Sequence, residues 1–176
     1  MNRLFSMLIV AIISSVWGMP ESKAEILWQT TAGGCVPWDD SIQNDRYDTS
    51  ATGLQIAYNG TTTNTIYLAC PVTSSVDVDG KEVKLVLYYN DNDGSGSSAV
   101  VFAELWSLSR TTGSVSTSSL CSVTSNTSGT FDKRVSASCG TLDTDSNIYW
   151  VYVYVDRVTT SDTPKFYAVE FEEVVN

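Results

Sequence analysis

Along most of the chain, apolar and polar residues alternate at every second position, and clusters of Gly, Asp, Asn, Ser and Thr interrupt the alternation at short intervals. A period of two marks a strand that buries one face. Residues 82–89 set Val83, Leu85, Leu87 and Tyr89 against Lys84, Val86 and Tyr88. Residues 99–108 carry Val100, Phe102, Trp106 and Leu108 on one face, where Glu104 is the discordant member. The longest predicted strand covers 147–158, and 166–175 closes the chain. The segments 53–58 and 65–70 flank the turn-rich run Asn59–Asn64 and read as a hairpin. The run from Asp91 to Gly96 reads in the same way, as a hairpin tip between 82–89 and 99–108. Two more polar segments, 118–123 and 130–138, are expected at sheet edges.

After residue 24 no segment sustains a 3.6-residue apolar period with caps, so little helix is expected. About eight strands with turns between them predict an all-β, two-sheet antiparallel β-sandwich, jelly-roll-like in character. An immunoglobulin-like sandwich is set aside, because no Trp stands between two sheet-bridging cysteines. The stretch 25–52, centred on Gly33-Gly-Cys-Val-Pro-Trp-Asp-Asp40, is expected to be irregular and to pack along one sheet or end. At the start of the chain Arg3, an apolar run from Leu4 to Trp17 and the small residues around Ser22-Lys-Ala24 read as a signal peptide over 1–24. That run is too short to span a bilayer comfortably. Residues 25–176 then form one domain, secreted to the periplasm or the exterior.

The four cysteines fit this compartment. Cys35, Cys70, Cys121 and Cys139 allow three pairings, of which Cys35–Cys70 and Cys121–Cys139 close short loops between neighbouring predicted strands. Each bridge would contribute about 3 kcal/mol in the chain-entropy account. A zinc site is disfavoured, since there is no C-x-x-C spacing and the chain contains no His. The formal net charge is -10, which argues against nucleic acid and anionic lipid as partners.

Gly34-Cys35-Val36-Pro37, Leu68-Ala-Cys70-Pro71-Val72, the strand Val83–Tyr89 and the closing Tyr167-Ala-Val-Glu-Phe171 resemble a pattern that recurs in uncharacterised secreted bacterial proteins. The resemblance implies an exported, disulfide-bearing β-sandwich. It carries no activity and no functional residues with it.

Three constellations could carry chemistry. The absence of His removes the usual general base, leaving carboxylate pairs drawn from Glu82, Glu104, Glu170 and Glu172 as the one catalytic option, a glycoside hydrolase. Solvent-facing strand glutamates explain these residues equally well, so no enzyme is expected. Calcium is the second option. Asp77/Asp79, Asp91/Asp93 and Asp143/Asp145 form Asp-x-Asp turns, and Asp91, Asp93, Ser95 and the Ser97 carbonyl could offer four of the six to eight oxygens that Ca2+ takes. Phe102 stands where an EF-hand would need a bidentate Glu, so a second loop would have to complete the site.

The third is aromatic. On the longest strand Tyr149, Val151, Val153 and Val155 form the natural core face, and Ile148, Trp150, Tyr152 and Tyr154 form the other. We expect both faces to be buried, the second beneath residues 25–52 with Trp28 and Trp38. The functional alternative is an open platform of Trp150, Tyr152 and Tyr154, with Tyr88 from a nearby strand, on which sugar rings stack. The Asn59 and Asn126 sequons read as turns. The reading is a secreted non-catalytic binding or surface-interaction protein, with a glycan as the first ligand class. A structural subunit of an extracellular bacterial assembly, partnered with another protein subunit, is the alternative.

Overall fold

The computed structural model describes residues 24–38, 46–50, 52–73, 77–127 and 132–175. Of the expected signal segment, residues 1–23 lie outside them. Among the described residues eleven strands run in order: β1 (Ile26–Thr31), β2 (Val36–Pro37), β3 (Tyr47–Thr49), β4 (Ile56–Tyr58), β5 (Ile66–Pro71), β6 (Glu82–Asn90), β7 (Ala99–Ser109), β8 (Cys121–Thr124), β9 (Asp132–Thr141), β10 (Asn147–Arg157) and β11 (Lys165–Glu173). They build the expected β-sandwich. One sheet has the order β3-β4-β11-β6-β9, with β1 also on β11, and the other the order β2-β5-β10-β7-β8. All pairings are antiparallel.

The alternation in the sequence explains the core. Leu85 and Leu87 from β6, Val169 and Phe171 from β11, Ala103 and Leu105 from β7, and Val151 and Val153 from β10 all point inward and are fully buried. Each of the larger aliphatic side chains contributes roughly 1.5–3 kcal/mol on burial. The two polar segments expected at edges are there: β8 ends one sheet and β9 the other.

Both expected hairpins are corrected. Strands β6 and β7 lie in different sheets, so residues 91–98 form an arch across the sandwich rather than a hairpin tip. Each of these strands has a fully apolar inner face. Facing one another across about 10 Å of core buries both, whereas lying side by side would leave each still in need of a cover. The 53–70 segment behaves likewise, with β4 in one sheet and β5 in the other. Arg157, buried at the end of β10, pins that crossover. Its guanidinium donates to the carbonyls of Gly60, Thr62 and Asp162 at 2.8–3.1 Å and lies 4.2 Å from the centre of the Tyr58 ring.

The described residues between 25 and 52 are not a loose cover either. They supply strands to both sheets: β1 and β3 to the first, β2 to the second. Trp28 enters the core against Phe171, with ring centres 5.0 Å apart. Gly33 donates to the carbonyl of Gly53 at 2.8 Å, and a Cβ on Gly33 would stand only 2.9 Å from that oxygen, so the backbones meet where a side chain would not fit. The disulfides are Cys35–Cys70 and Cys121–Cys139. The first ties β5 to the turn before β2. The second joins β8 to β9, hence one sheet to the other at their free edges.

Candidate functional site

Strand β10 is the middle of its sheet, with β5 on one side and β7 on the other. Its even-numbered residues face outward. The register sets Trp150 between Trp106 and Pro71, Tyr152 between Glu104 and Ala69, and Tyr154 between Phe102 and Tyr67. Trp150, Tyr152 and Tyr154 are partly exposed, as are Trp106, Glu104 and Phe102. Burial of both faces, the arrangement expected from the sequence, is therefore corrected. The described residues of the segment that was to cover this face supply strands to the sheets, and of its two tryptophans only Trp28 is buried. Trp38 stands at the rim, 60% exposed.

The rings are not equivalent. Phe102 stacks on Tyr154 with centres 4.7 Å apart, and Tyr67 stacks on Tyr152 at 5.9 Å. Trp38 meets Tyr152 edge-on at 5.6 Å and 89°. These contacts use up ring faces on one half of the sheet. Trp106 and Trp150, paired across strands on the other half, stack on no ring among the described residues. They floor a groove of about 400 Å³ whose remaining walls are Trp38, Glu104, Tyr152 and Val115.

Glu104 is, among the described residues, the one charged side chain lining that groove. Among the described residues it has no hydrogen bond or ion pair. The Tyr152 hydroxyl is pushed up to about 12 by burial, then by Tyr67 and the Glu104 carboxylate, so it remains a neutral donor. The groove thus combines two open indole faces, one acceptor-only carboxylate and a phenol. Nothing here forms an acid–base pair.

Tyr88 is not part of this face. It sits on the outer side of the opposite sheet, where its hydroxyl donates to Glu170 at 2.6 Å and accepts from Arg134 Nε at 3.3 Å. Glu170 and Glu172 do share a face of β11, but the first is buried against Tyr88 and the second is ion-paired to Arg134. Burial raises the Glu170 carboxyl above its ordinary range. Glu82 is exposed at the start of β6.

The Asp-x-Asp turns separate. Asp79 accepts from the Thr144 amide and hydroxyl at 2.7 and 3.0 Å, which places it and Asp143 at one end of the sandwich. Asp91 lies beyond the other end of β6, roughly 30 Å away for a nine-residue strand. Within its arch Asp91 is fully buried and accepts from the Ser125 hydroxyl, while Asp93 Oδ2 accepts from the amides of Ser98 and Ala99 at 2.7 and 3.2 Å. Ser95 is exposed. Asp93 Oδ1 is buried with no partner, beside the Asp91 carboxyl. Asp91 is pushed up to about 6, chiefly by burial, against the Ser125 hydrogen bond and with help from Asp93. The loop that meets this arch brings the Thr163 amide, 2.6 Å from Asn92 Oδ1. Among the described residues no third acidic side chain joins the pair.

No family model and no curated protein matches the sequence. Solved structures do resemble the fold. The N-terminal CBM22-1–CBM22-2 tandem domain of Paenibacillus barcinonensis Xyn10C aligns over 89% of this chain with a TM-score of 0.54 at 11% identity. The chain spans about half of that tandem, 51% of its length. A xylan-binding module, CBM15, aligns over 84% of this chain and 97% of its own at 12% identity and a TM-score of 0.44. The mannan-recognising carbohydrate-binding module TmCBM27 aligns over 88% and 100% at 9% identity, with a TM-score of 0.43. At these identities the likeness is one of fold.

Trp106, Glu104 and Val115 are groove residues that the alternation along β10 does not group with Trp150, and Trp38 was expected over this face as a buried cover. The signal was present in the break at Glu104. A charge within an otherwise apolar alternating face marks a face that meets water.

Proposed function

We propose that the protein is a secreted, non-catalytic glycan-binding β-sandwich whose ligand lies across the outer face of β5, β10 and β7. The observation that carries this reading is the open Trp106–Trp150 pair beside an unpaired carboxylate. The apolar face of a pyranose ring packs on an indole, while the hydroxyls at its edge find Glu104, the Tyr152 hydroxyl and indole N–H groups. The likeness in fold to carbohydrate-binding modules supports the reading, as do two disulfides, which suit an oxidising compartment.

Affinity electrophoresis through gels containing soluble xylan, mannan or β-glucan tests it. At least one polymer should retard the protein, and Trp150→Ala and Trp106→Ala should each abolish retardation while the melting temperature holds. Unchanged retardation in both variants would overturn the proposal. Sedimentation velocity addresses the assembly alternative: an oligomer that Trp150→Ala dissolves would make the same face a subunit interface. N-terminal sequencing of the exported chain should find Glu25 as its first residue.

A further inference from the structure

Resting on the glycan-binding reading, we infer that Glu104 makes the groove selective for charge, so that the preferred ligand is a glycan bearing free amino groups. Four of the six groove-lining residues are aromatic, and the only charge among the six is negative. Among the described residues no basic side chain lines the groove. Arg110, just past the end of β7, lies six residues beyond Glu104 and is tied to the carbonyls of Thr144 and Asn147 at 3.0 and 3.3 Å. Asp156, on the same outer face of β10, adds a second negative charge and is engaged by the Thr65 hydroxyl at 2.8 Å. The chain as a whole carries -10.

A neutral sugar laid over Glu104 strips water from a carboxylate and returns hydroxyl donors. An ammonium in the same place returns a full counter-charge, and the electron-rich faces of Trp106 and Trp150 favour it further. An anionic sugar meets unpaired negative charge with nothing to offset it. The opposite sheet shows what a neutralised carboxylate looks like in this molecule, since Glu172 has Arg134. Glu104 has no such partner, and a ligand cation fits that vacancy in charge.

Oligosaccharides of cellulose, deacetylated chitosan and chitin share one backbone and differ only in a hydroxyl, ammonium or acetamide at the second carbon. Titrating each against tryptophan fluorescence, in mildly acidic buffer where the amine is protonated, reads the selectivity directly. The chitosan oligomer should bind about fivefold or more tightly than the cellulose oligomer, with the gap shrinking as salt rises. Glu104→Gln should bring the ratio of the two affinities to about one. Equal binding by the native protein, a preference that survives Glu104→Gln, or no binding by any of the three would overturn the inference. Polysaccharide retention that Trp150→Ala still abolishes would in that case leave the glycan-binding reading standing alone.

Discussion

On the outer face of the six-stranded sheet, Tyr88 donates to Glu170, Arg134 supports Tyr88, and Arg134 also pairs with Glu172. On the outer face of the five-stranded sheet, Trp106 and Trp150 stack on no ring and Glu104 has no partner among the described residues. Both faces are made by the same alternation on strands of similar length. They differ in whether the polar groups find partners within the protein. A face whose carboxylates are answered by its own Arg and Tyr is finished when the chain folds. A face with open rings and an unanswered carboxylate is finished only by something else. The proposed site is thus distinguished by polar satisfaction rather than by composition.

Four experiments would break or sharpen that contrast. Trp150→Ala carries the largest expected effect, a loss of glycan affinity of about 30-fold or more, as for a central aromatic anchor. Tyr88→Phe, the matching change on the other face, should leave retention in polysaccharide gels untouched. Equal losses from both would erase the distinction between the faces. Next comes the bridge between the sheets. Replacing Cys121 and Cys139 with Ser should lower unfolding free energy by about 3 kcal/mol in denaturant melts, with glycan binding preserved at low temperature.

The buried carboxylates give the third test, in pH. An unfolded Asp titrates near 4, whereas folded Asp91 titrates at about 6, so the native state holds more protons between these values. The stability tied to that proton is present at acid pH and is lost as pH rises through about 6. Asp91→Asn should therefore be more stable than the native protein by roughly 1 kcal/mol at pH 7.5 or so, with the difference fading towards pH 4. An Asn amide can also donate to the unpartnered Asp93 Oδ1. The calcium reading of the same arch competes here. A resident ion would raise the melting temperature on adding Ca2+ and lower it with chelator, while internal capping by Ser125, Ser98 and Ala99 predicts no movement. An effect of similar size is expected on the finished face, where Tyr88→Phe should cost about 1 kcal/mol in a thermal melt by leaving Glu170 short of a donor.

Strand existence was legible in the alternation, as were the inward residues of β6 and β10, because a half-buried strand writes its own period. On β7 the larger side chains Val100, Phe102, Trp106 and Leu108 lie outward instead, and Ala99, Val101, Ala103 and Leu105 fill the core. The edge positions of β8 and β9 were legible in their polarity, and both disulfides in the closeness of their cysteines along the chain. The two arches were not. A connection rich in Gly and Asp is equally at home in a hairpin and in a crossover, and nothing local records which sheet the next strand joins. For the site, Trp150, Tyr152 and Tyr154 could be grouped from β10 alone. Tyr88 was misplaced to the wrong side of the sandwich, Trp38 was expected as a buried cover and stands exposed at the rim, and Trp106 was left out, since strand pairing decides which rings are neighbours.

A β-sandwich with a valine-faced central strand is already written in the alternation, since burial on one face imposes a period that short-range order can express. That the aromatic face stays open is a matter of long-range pairing. That outcome depends on residues 25–38 being used as strands β1 and β2 rather than as a cover, a choice made by backbone hydrogen bonds to β11 and β5. Those bonds join positions more than thirty residues apart in sequence, where no pattern along the chain can reach.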